Sequence, residues 1–310
     1  MMSSSSSHNK TPVVLLIFNR PDTTRRVLEA VRAVRPSTLL VVADGPRPHV
    51  PSDTERCAET RALIDGVDWA CDVRRKYADA NMGLADRVAS GLTWAFAQVE
   101  TAIILEDDCV PHPSFFRFCT ELLDRYAADT RIMAIAGDNF QFGARTAEYS
   151  YYFSRYPHCW GWATWHRAWH HYDHSMAAWP HIRERKLLDD IFESRSASRY
   201  WTRIFDATYS GRVSSWANRW TLACWLQNGL SILPAVNLVS NIGFGSHGTH
   251  TRDDSPFGNM EVHPLAFPLK HPPYVVRDAA ADWITQRTLF RRPNLWQRVA
   301  YRIRHIKEVK

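Results

Sequence analysis

Between residues 12 and 137 the chain alternates short apolar runs with longer segments whose apolar positions recur every three or four residues. Val13–Phe18, Leu39–Ala43 and Thr101–Leu105 are apolar along most of their length, the pattern of strands covered on both faces. Between them, Val27, Leu28, Val31 and Val34 share one helical face, and so do Leu84, Val88, Leu92 and Ala95. Asp22 stands at the capping position of the first of these helices. Ser52 with Glu55 has the spacing of a capping box for a helix reaching about Ile64. Residues 69–74 read as a short strand, Asn81-Met82-Gly83 as a turn, Phe115 to Tyr126 as an amphipathic helix and Ile132–Ala136 as a strand. Strand and helix in alternation predict an α/β fold with a doubly wound, mostly parallel sheet.

Beyond about residue 140 this alternation fades. Tyr149–Phe153 reads as an edge strand and His158–Trp165 as an aromatic cluster. Helical patterns follow near 182–193, 198–209 and 217–228. Val236–Ser240 reads as a late strand running into the glycine-rich stretch Gly243–Gly248. Of the 13 tryptophans most lie after Cys159, so the second half has a different character from the first. Residue by residue, the tryptophans read as core before they read as a sugar platform.

The charge balance, +6, suits an anionic small ligand or an acidic membrane surface. With no basic block or nucleic-acid motif, a nucleic-acid partner is not expected. The six cysteines form no Cys-x-x-Cys pair and read as reduced core residues. No apolar stretch reaches the length of a membrane helix, and Met1–Ser7 lacks the apolar core of a signal peptide. The expectation is a soluble cytoplasmic protein. Trp296, set among Arg291, Arg292, Arg298, Arg302 and Arg304, adds the expectation of peripheral contact with an anionic inner membrane; a solvated surface helix is the plainer reading.

Chemistry concentrates where Ile103-Ile104-Leu105 runs into Glu106-Asp107-Asp108. Adjacent carboxylates repel one another, and enclosing them is costly unless a cation is present. Hard oxygen donors suit Mn²⁺ or Mg²⁺, and these suit the phosphates of a nucleotide. The plainer alternative is a solvated turn ahead of the helix that follows Pro113. Two further strands end in polar residues, Asn19-Arg20 and Asp44-Gly45. Ligands of doubly wound sheets bind outside the carboxyl ends of strands, so three polar ends on one edge favour a site. His170, Asp173 and His174 have helical spacing for a metal but no further ligand beside them.

Several motifs occur in order: Phe18-Asn19-Arg20 with Thr24-Arg25-Arg26, Val42-Ala43-Asp44, Leu105-Glu106-Asp107-Asp108 with Pro113-Ser114-Phe115-Phe116, Gly161-Trp162, and Ser246-His247-Gly248. Spanning about residues 13–250, this series resembles nucleotide-sugar glycosyltransferases of the GT-A fold. The closer likeness is to the β-1,2-N-acetylglucosaminyltransferase family and its bacterial family-2-like relatives. The resemblance implies a nucleotide-sugar-binding Rossmann-like half at 11–140 and a Trp-rich acceptor-side half of the same domain at 141–275. These are flanked by a disordered tail, 1–10, and a basic helical tail, 276–310. It implies an inverting, metal-dependent transfer from a UDP-sugar donor to a carbohydrate or glycolipid acceptor, in the building of a bacterial polysaccharide.

The resemblance also implies roles. Arg20 and Asp44 would contact the nucleotide, Asp44 through the uracil ring. Asp108 would bind Mn²⁺ or Mg²⁺, Asp107 would face the ribose or a metal-bound water, and Glu106 would lie near the transferred sugar. Ser246 and His247 would sit on a loop over the diphosphate. One departure concerns the general base. The family carries a Trp-Asp pair where this chain has Trp216-Ala217-Asn218, and neither Ala217 nor Asn218 can take a proton. Asp138, Asp253 and Asp254 are the substitutes, Asp138 first because a strand anchors it. The rivals are a glycan- or nucleotide-binding pseudo-transferase, favoured by the missing base, and a sugar-nucleotide pyrophosphorylase. The latter is disfavoured because Phe18-Asn19-Arg20-Pro21 is not a glycine-rich phosphate loop.

Overall fold

The computed structural model describes residues 10–144, 148–244 and 255–290. The apolar runs form a central sheet, and the alternating segments form helices against it. The first half comprises β1 (Val13–Ile17), α1 (Pro21–Val34), β2 (Thr38–Ala43), α2 (Ser52–Asp65), β3 (Asp72–Tyr77), α3 (Leu84–Phe96) and β4 (Thr101–Glu106). A short strand β5 (Cys109–Pro111), α4 (Pro113–Arg125) and β6 (Ile132–Ala136) follow. The second half comprises β7 (Tyr151–Ser154), β8 (Trp162–Trp165), α5 (His166–Trp169), α6 (Trp179–Arg185), α7 (Leu188–Ile191), α8 (Arg195–Tyr209) and α9 (Trp216–Leu226). It closes with β9 (Leu230–Pro234), β10 (Val239–Asn241) and α10 (Ala279–Thr288).

Eight strands join in the order β3-β2-β1-β4-β8-β6-β9-β7, and β5 pairs with β10 in a separate ribbon. Neighbours from β3 to β4 are parallel; β8 runs against both β4 and β6, β9 runs with β6, and β7 against β9. The fold is therefore α/β on a large mixed sheet, with two reversed strands among six that run the same way.

Side chains alternate across the sheet, and this divides the core. Ile103 and Leu105 of β4 join Val27, Val31, Phe115 and Leu122 on the side of α1 and α4. Ala102 and Ile104 join Val88, Leu92, Trp169, Trp216 and Trp220 on the side of α3, α5 and α9. A third cluster, around Trp179, Trp201, Phe205 and Trp225, fills the space among the later helices. Most of the tryptophans are core, as their pattern suggests. Trp162 is fully buried and stacks on Trp216 at 5.7 Å between ring centres.

Several expectations are corrected. The aromatic run 158–165 contains β8, an interior strand, because its rings pack on both sides of the sheet. Residues 230–234 form β9, which interior pairing stabilises and local pattern does not reveal. The late strand expected at 236–240 reduces to β10, paired outside the main sheet. The strand expected at 69–74 lies at 72–77. Neither Asp22 nor Ser52 caps a helix: Pro21 and Asp22 already lie in the first turn of α1, and α2 starts after Pro51 with no side-chain cap. Edge strand β7 and the positions of β1, β2, β4 and β6 agree with the pattern of the sequence. Among the described residues no helix is long and apolar enough to cross a membrane. The basic segment 291–310 lies outside the described residues.

The last described helix is held by a buried ion network. Asp282 accepts from Ser154 Oγ at 2.5 Å, Arg155 Nε at 3.3 Å and Arg277 at 3.0 Å. Its removal takes one of two carboxylate partners from the buried Arg155, which keeps Glu193 at 2.8 Å, and leaves Ser154 Oγ without its acceptor, a loss of about 1–3 kcal/mol. Asp282→Ala should lower the urea midpoint by a corresponding amount; an unchanged midpoint would show that the network adds nothing to stability.

Candidate functional site

All three polar strand ends meet at the carboxyl edge of the sheet. Glu106 ends β4 beside Leu16 of β1, and Asp44 follows β2 with its N–H on Ile17 O. Asp107 and Asp108 turn the chain from β4 into β5, so their carboxylates are fixed by the two strands they join.

Arg20 reaches this turn from the start of α1. It donates to Asp108 Oδ2 at 2.8 Å and lies 3.7 Å from Asp107 Oδ1. The Phe18 N–H donates to Asp107 Oδ2 at 3.1 Å. The Arg20 side chain is accordingly enclosed, 17% exposed. From the other side, Asn241 Nδ2 lies 3.4 Å from Asp108 Oδ1, and Ile242 N–H donates to the Asp108 carbonyl at 2.8 Å. Gly243 packs so closely that an added Cβ would fall 2.0 Å from Asp108 Oδ2; only glycine leaves the carboxylate in place.

Three carboxyl groups thus face one guanidinium. Burial, then the adjacent carboxylates, pushes Glu106 up to about 8 and Asp107 up to about 7, with Arg20 acting in the opposite sense. Such a site carries an unmet demand for positive charge. Among the described residues no three His, Cys, Asp or Glu side chains form a ready-made metal cage. Mg²⁺ and Mn²⁺ commonly use one or two carboxylates and take further oxygens from water and substrate phosphate. Asp107 and Asp108 fit that donor set.

Asp44 is buried and heavily engaged. Its carboxylate accepts from the N–H groups of Gly45 at 2.9 Å, Met82 at 2.9 Å and Gly83 at 3.1 Å, and from Asn81 Nδ2 at 3.0 Å. It thereby fastens the Asn81-Met82-Gly83 turn and places a negative charge at the N-terminus of α3. A nucleobase N–H reaching Asp44 would share or displace one of these donors. Beside it, Asp53 binds Asn19 Nδ2 at 2.7 Å and Arg47 Nε at 2.6 Å. The Arg47 pair holds Asp53 below the usual carboxylate range.

Asp138 follows β6 on the same edge. It is 1% exposed; Oδ1 lies 2.6 Å from His158 Nδ1, and Oδ2 accepts from Trp160 N–H at 3.3 Å. The Ala217-Asn218 stretch is structural: Ser215 caps α9 through Asn218 N–H, and Asn218 Nδ2 donates to Thr208. Asp173 caps a local turn through Ser175 and Ala177, and His174 pairs with Asp86 at 2.8 Å. Ser246, His247, Asp253 and Asp254 lie outside the described residues. A groove between α1 and α4, near Lys10, Arg32 and Thr120, contains none of the clustered carboxylates.

Sequence reasoning missed Asp53, Asn241, Gly243 and His158 as members of this edge. Asn81 and Gly83 were visible as a turn, but nothing local joins them to Asp44, 37 residues away from Asn81. No family model matches the chain, and no curated protein sequence matches it either.

Two outcomes follow from the electrostatics and the loop fastening. A carboxyl whose pKa is raised by folding adds stability below its unfolded value, near 4.3, and loses it as pH rises through the folded value. Without added metal, Glu106→Gln should therefore gain melting temperature relative to the unaltered protein as pH goes from 6 to 9. Parallel pH profiles would show that Glu106 ionises freely. Asp44→Ala strands the donors of the 81–83 turn and should cost about 1–3 kcal/mol in chemical unfolding; a neutral result would mean that solvent replaces the carboxylate.

Proposed function

We propose that the protein is a metal-dependent glycosyltransferase of the GT-A type that takes its sugar from a UDP-sugar and transfers it to a carbohydrate or glycolipid acceptor. The observation that carries this reading is the acidic triplet at the end of β4, enclosed, short of positive charge and joined to Arg20. The parallel half of the sheet, with its ligand edge beside this triplet, and the mixed Trp-rich half suit the donor and acceptor sides that the motif series implies.

Asp107 and Asp108 would hold Mn²⁺ or Mg²⁺. When bound, the cation supplies neutralisation of the charge that develops on the departing diphosphate. Arg20 adds a fixed positive charge next to the same oxygens and keeps Asp108 oriented. Asp44, through the turn it fastens, shapes the wall on which the nucleoside would rest. Trp160, Phe244 and Phe257 are half-buried on the acceptor side, where exposed ring faces suit the apolar face of a sugar.

A second reading, a nucleotide-binding pseudo-transferase, is favoured by Asn218, whose amide is committed to Thr208 and cannot act as a base. Mn²⁺-dependent hydrolysis of UDP-sugars separates the two, since a pure binder releases no UDP.

The nucleotide reading has a direct test. Because the carboxylates alone do not complete a cation shell and alone repel a diphosphate, UDP and Mn²⁺ should bind together. In titration calorimetry UDP should bind with Mn²⁺ present and lose at least tenfold in affinity in EDTA. Asp108→Asn should abolish the metal-dependent part with the melting transition retained. Equal UDP affinity in EDTA would sink the proposal.

A further inference from the structure

We infer that His158 is the general base that takes the proton from the acceptor hydroxyl, and that Asp138 is its positioning residue. The inference rests on the glycosyltransferase reading above.

The placement comes from the sheet register. Ile104 of β4 and Ala136 of β6 both pair with Trp162 of the reversed strand β8 between them. Glu106 and Asp138 each lie two residues further on, so they stand level with each other on the carboxyl edge, two strand spacings apart, or about 10 Å. Cys159, just ahead of β8, lies between them, within electrostatic reach of Glu106, Asp138 and Asp108, so the Asp138–His158 pair and the acidic triplet border one another on this edge. A base for direct displacement belongs on the far side of the sugar from the leaving diphosphate.

The division of labour comes from hydrogen bonding. An ionised carboxylate only accepts, so at the 2.6 Å contact His158 Nδ1 carries the proton and Asp138 Oδ1 receives it. The second oxygen of Asp138 is occupied by Trp160 N–H. Both oxygens of Asp138 are thus engaged within the chain, and the two side chains are buried alike, 3% exposed for His158 and 2% for Asp138. His158 Nε2 then bears a lone pair, and it is a buried atom without a hydrogen-bond partner. A carboxylate that fixes the tautomer of a histidine, leaving the other nitrogen basic, is the arrangement that activates hydroxyls in acyl-transfer enzymes.

The surroundings suit a carbohydrate. Phe140 lies 4.9 Å from the His158 ring and touches Trp160 and Phe257, and Trp160 touches Phe244. Trp160, Phe244 and Phe257 are each half-buried. Asp138 pairs with the ring, and burial raises the thiol of the adjacent Cys159 well above its ordinary value. In the step itself the acceptor oxygen bonds to the anomeric carbon while its proton passes to Nε2. The bond from that carbon to the diphosphate oxygen breaks, and its electron pair leaves with UDP. Asp138 balances the imidazolium charge until the proton passes to solvent.

The test uses the full chain with Mn²⁺, UDP-glucose and UDP-N-acetylglucosamine as donors and water as acceptor. His158→Gln should lower kcat for UDP release by about 10²–10⁴, with donor KM and calorimetric UDP affinity within about twofold. Asp138→Asn should lower kcat with the same unchanged KM. In the unaltered protein, nitrogen NMR of labelled histidine at pH 8 should find His158 protonated on Nδ1 and bare on Nε2, whatever the activity. Unchanged kcat in His158→Gln overturns this inference and leaves the glycosyltransferase reading standing, as does a ring protonated on Nε2. Absence of UDP release by the unaltered protein removes the glycosyltransferase reading and this inference with it. If His158→Gln fails to fold, Asp138→Asn and the NMR tautomer decide alone.

Discussion

Repulsion among Glu106, Asp107 and Asp108 is the constraint around which the carboxyl edge is organised. Three acids next to one another in sequence cannot all be ionised and enclosed without compensation. The chain answers in three ways. Arg20 and the Phe18 N–H come from the loop after β1, Asn241 and Gly243 come from the end of β10 and just past it, and two of the carboxyls are driven toward the neutral form. Each answer is partial, since one guanidinium faces three acids. The residual demand for positive charge sets this edge apart from a closed ion network such as the one around Asp282.

The same edge shows how a sheet shares work between distant residues. Asp44 carries charge, yet what it does visibly is mechanical: it ties Gly45, Asn81, Met82 and Gly83 into one loop and sets the start of α3. Asp138 shows the same pattern, with both oxygens turned inward to His158 and Trp160. On this edge some carboxylates fasten the chain and others are left crowded together, and burial alone does not distinguish them. What distinguishes them is crowding: Asp107 and Asp108 lie side by side next to Glu106 and share the single Arg20 guanidinium, whereas Asp44 takes four donors to itself.

Much of the first half was legible in the sequence because its strands are apolar throughout and its helices are amphipathic. Both patterns are local, so β1, β2, β4 and β6 fall where periodicity puts them. The second half was harder to read for physical reasons. β8 is written in tryptophan, alanine and threonine, and its apolar rings serve two core layers at once, so no alternation of polar and apolar positions marks it. β9 is a strand because β6 and β7 lie on either side of it. Within the site, the acids, Arg20, Asp44 and Asp138 were visible as polar residues at strand ends. His158, Asp53 and Asn241 were not, because their partners are 20, 34 and 132 or more residues away along the chain.

The ribbon formed by β5 and β10 has a consequence for how the molecule comes into being. Asp108 is gripped by a residue 88 positions before it and by another 133 positions after it. Closing loops of that length is entropically costly and belongs late in folding. The parallel half, which contains Arg20 and Phe18, is able to assemble before Asn241 and Gly243 reach Asp108. Full enclosure of the acids thus reports completion of the chain: a partly folded molecule with its first strands in place would hold Asp108 from the Arg20 side alone. Any ligand that settles on the finished edge draws the last closure to completion by mass action.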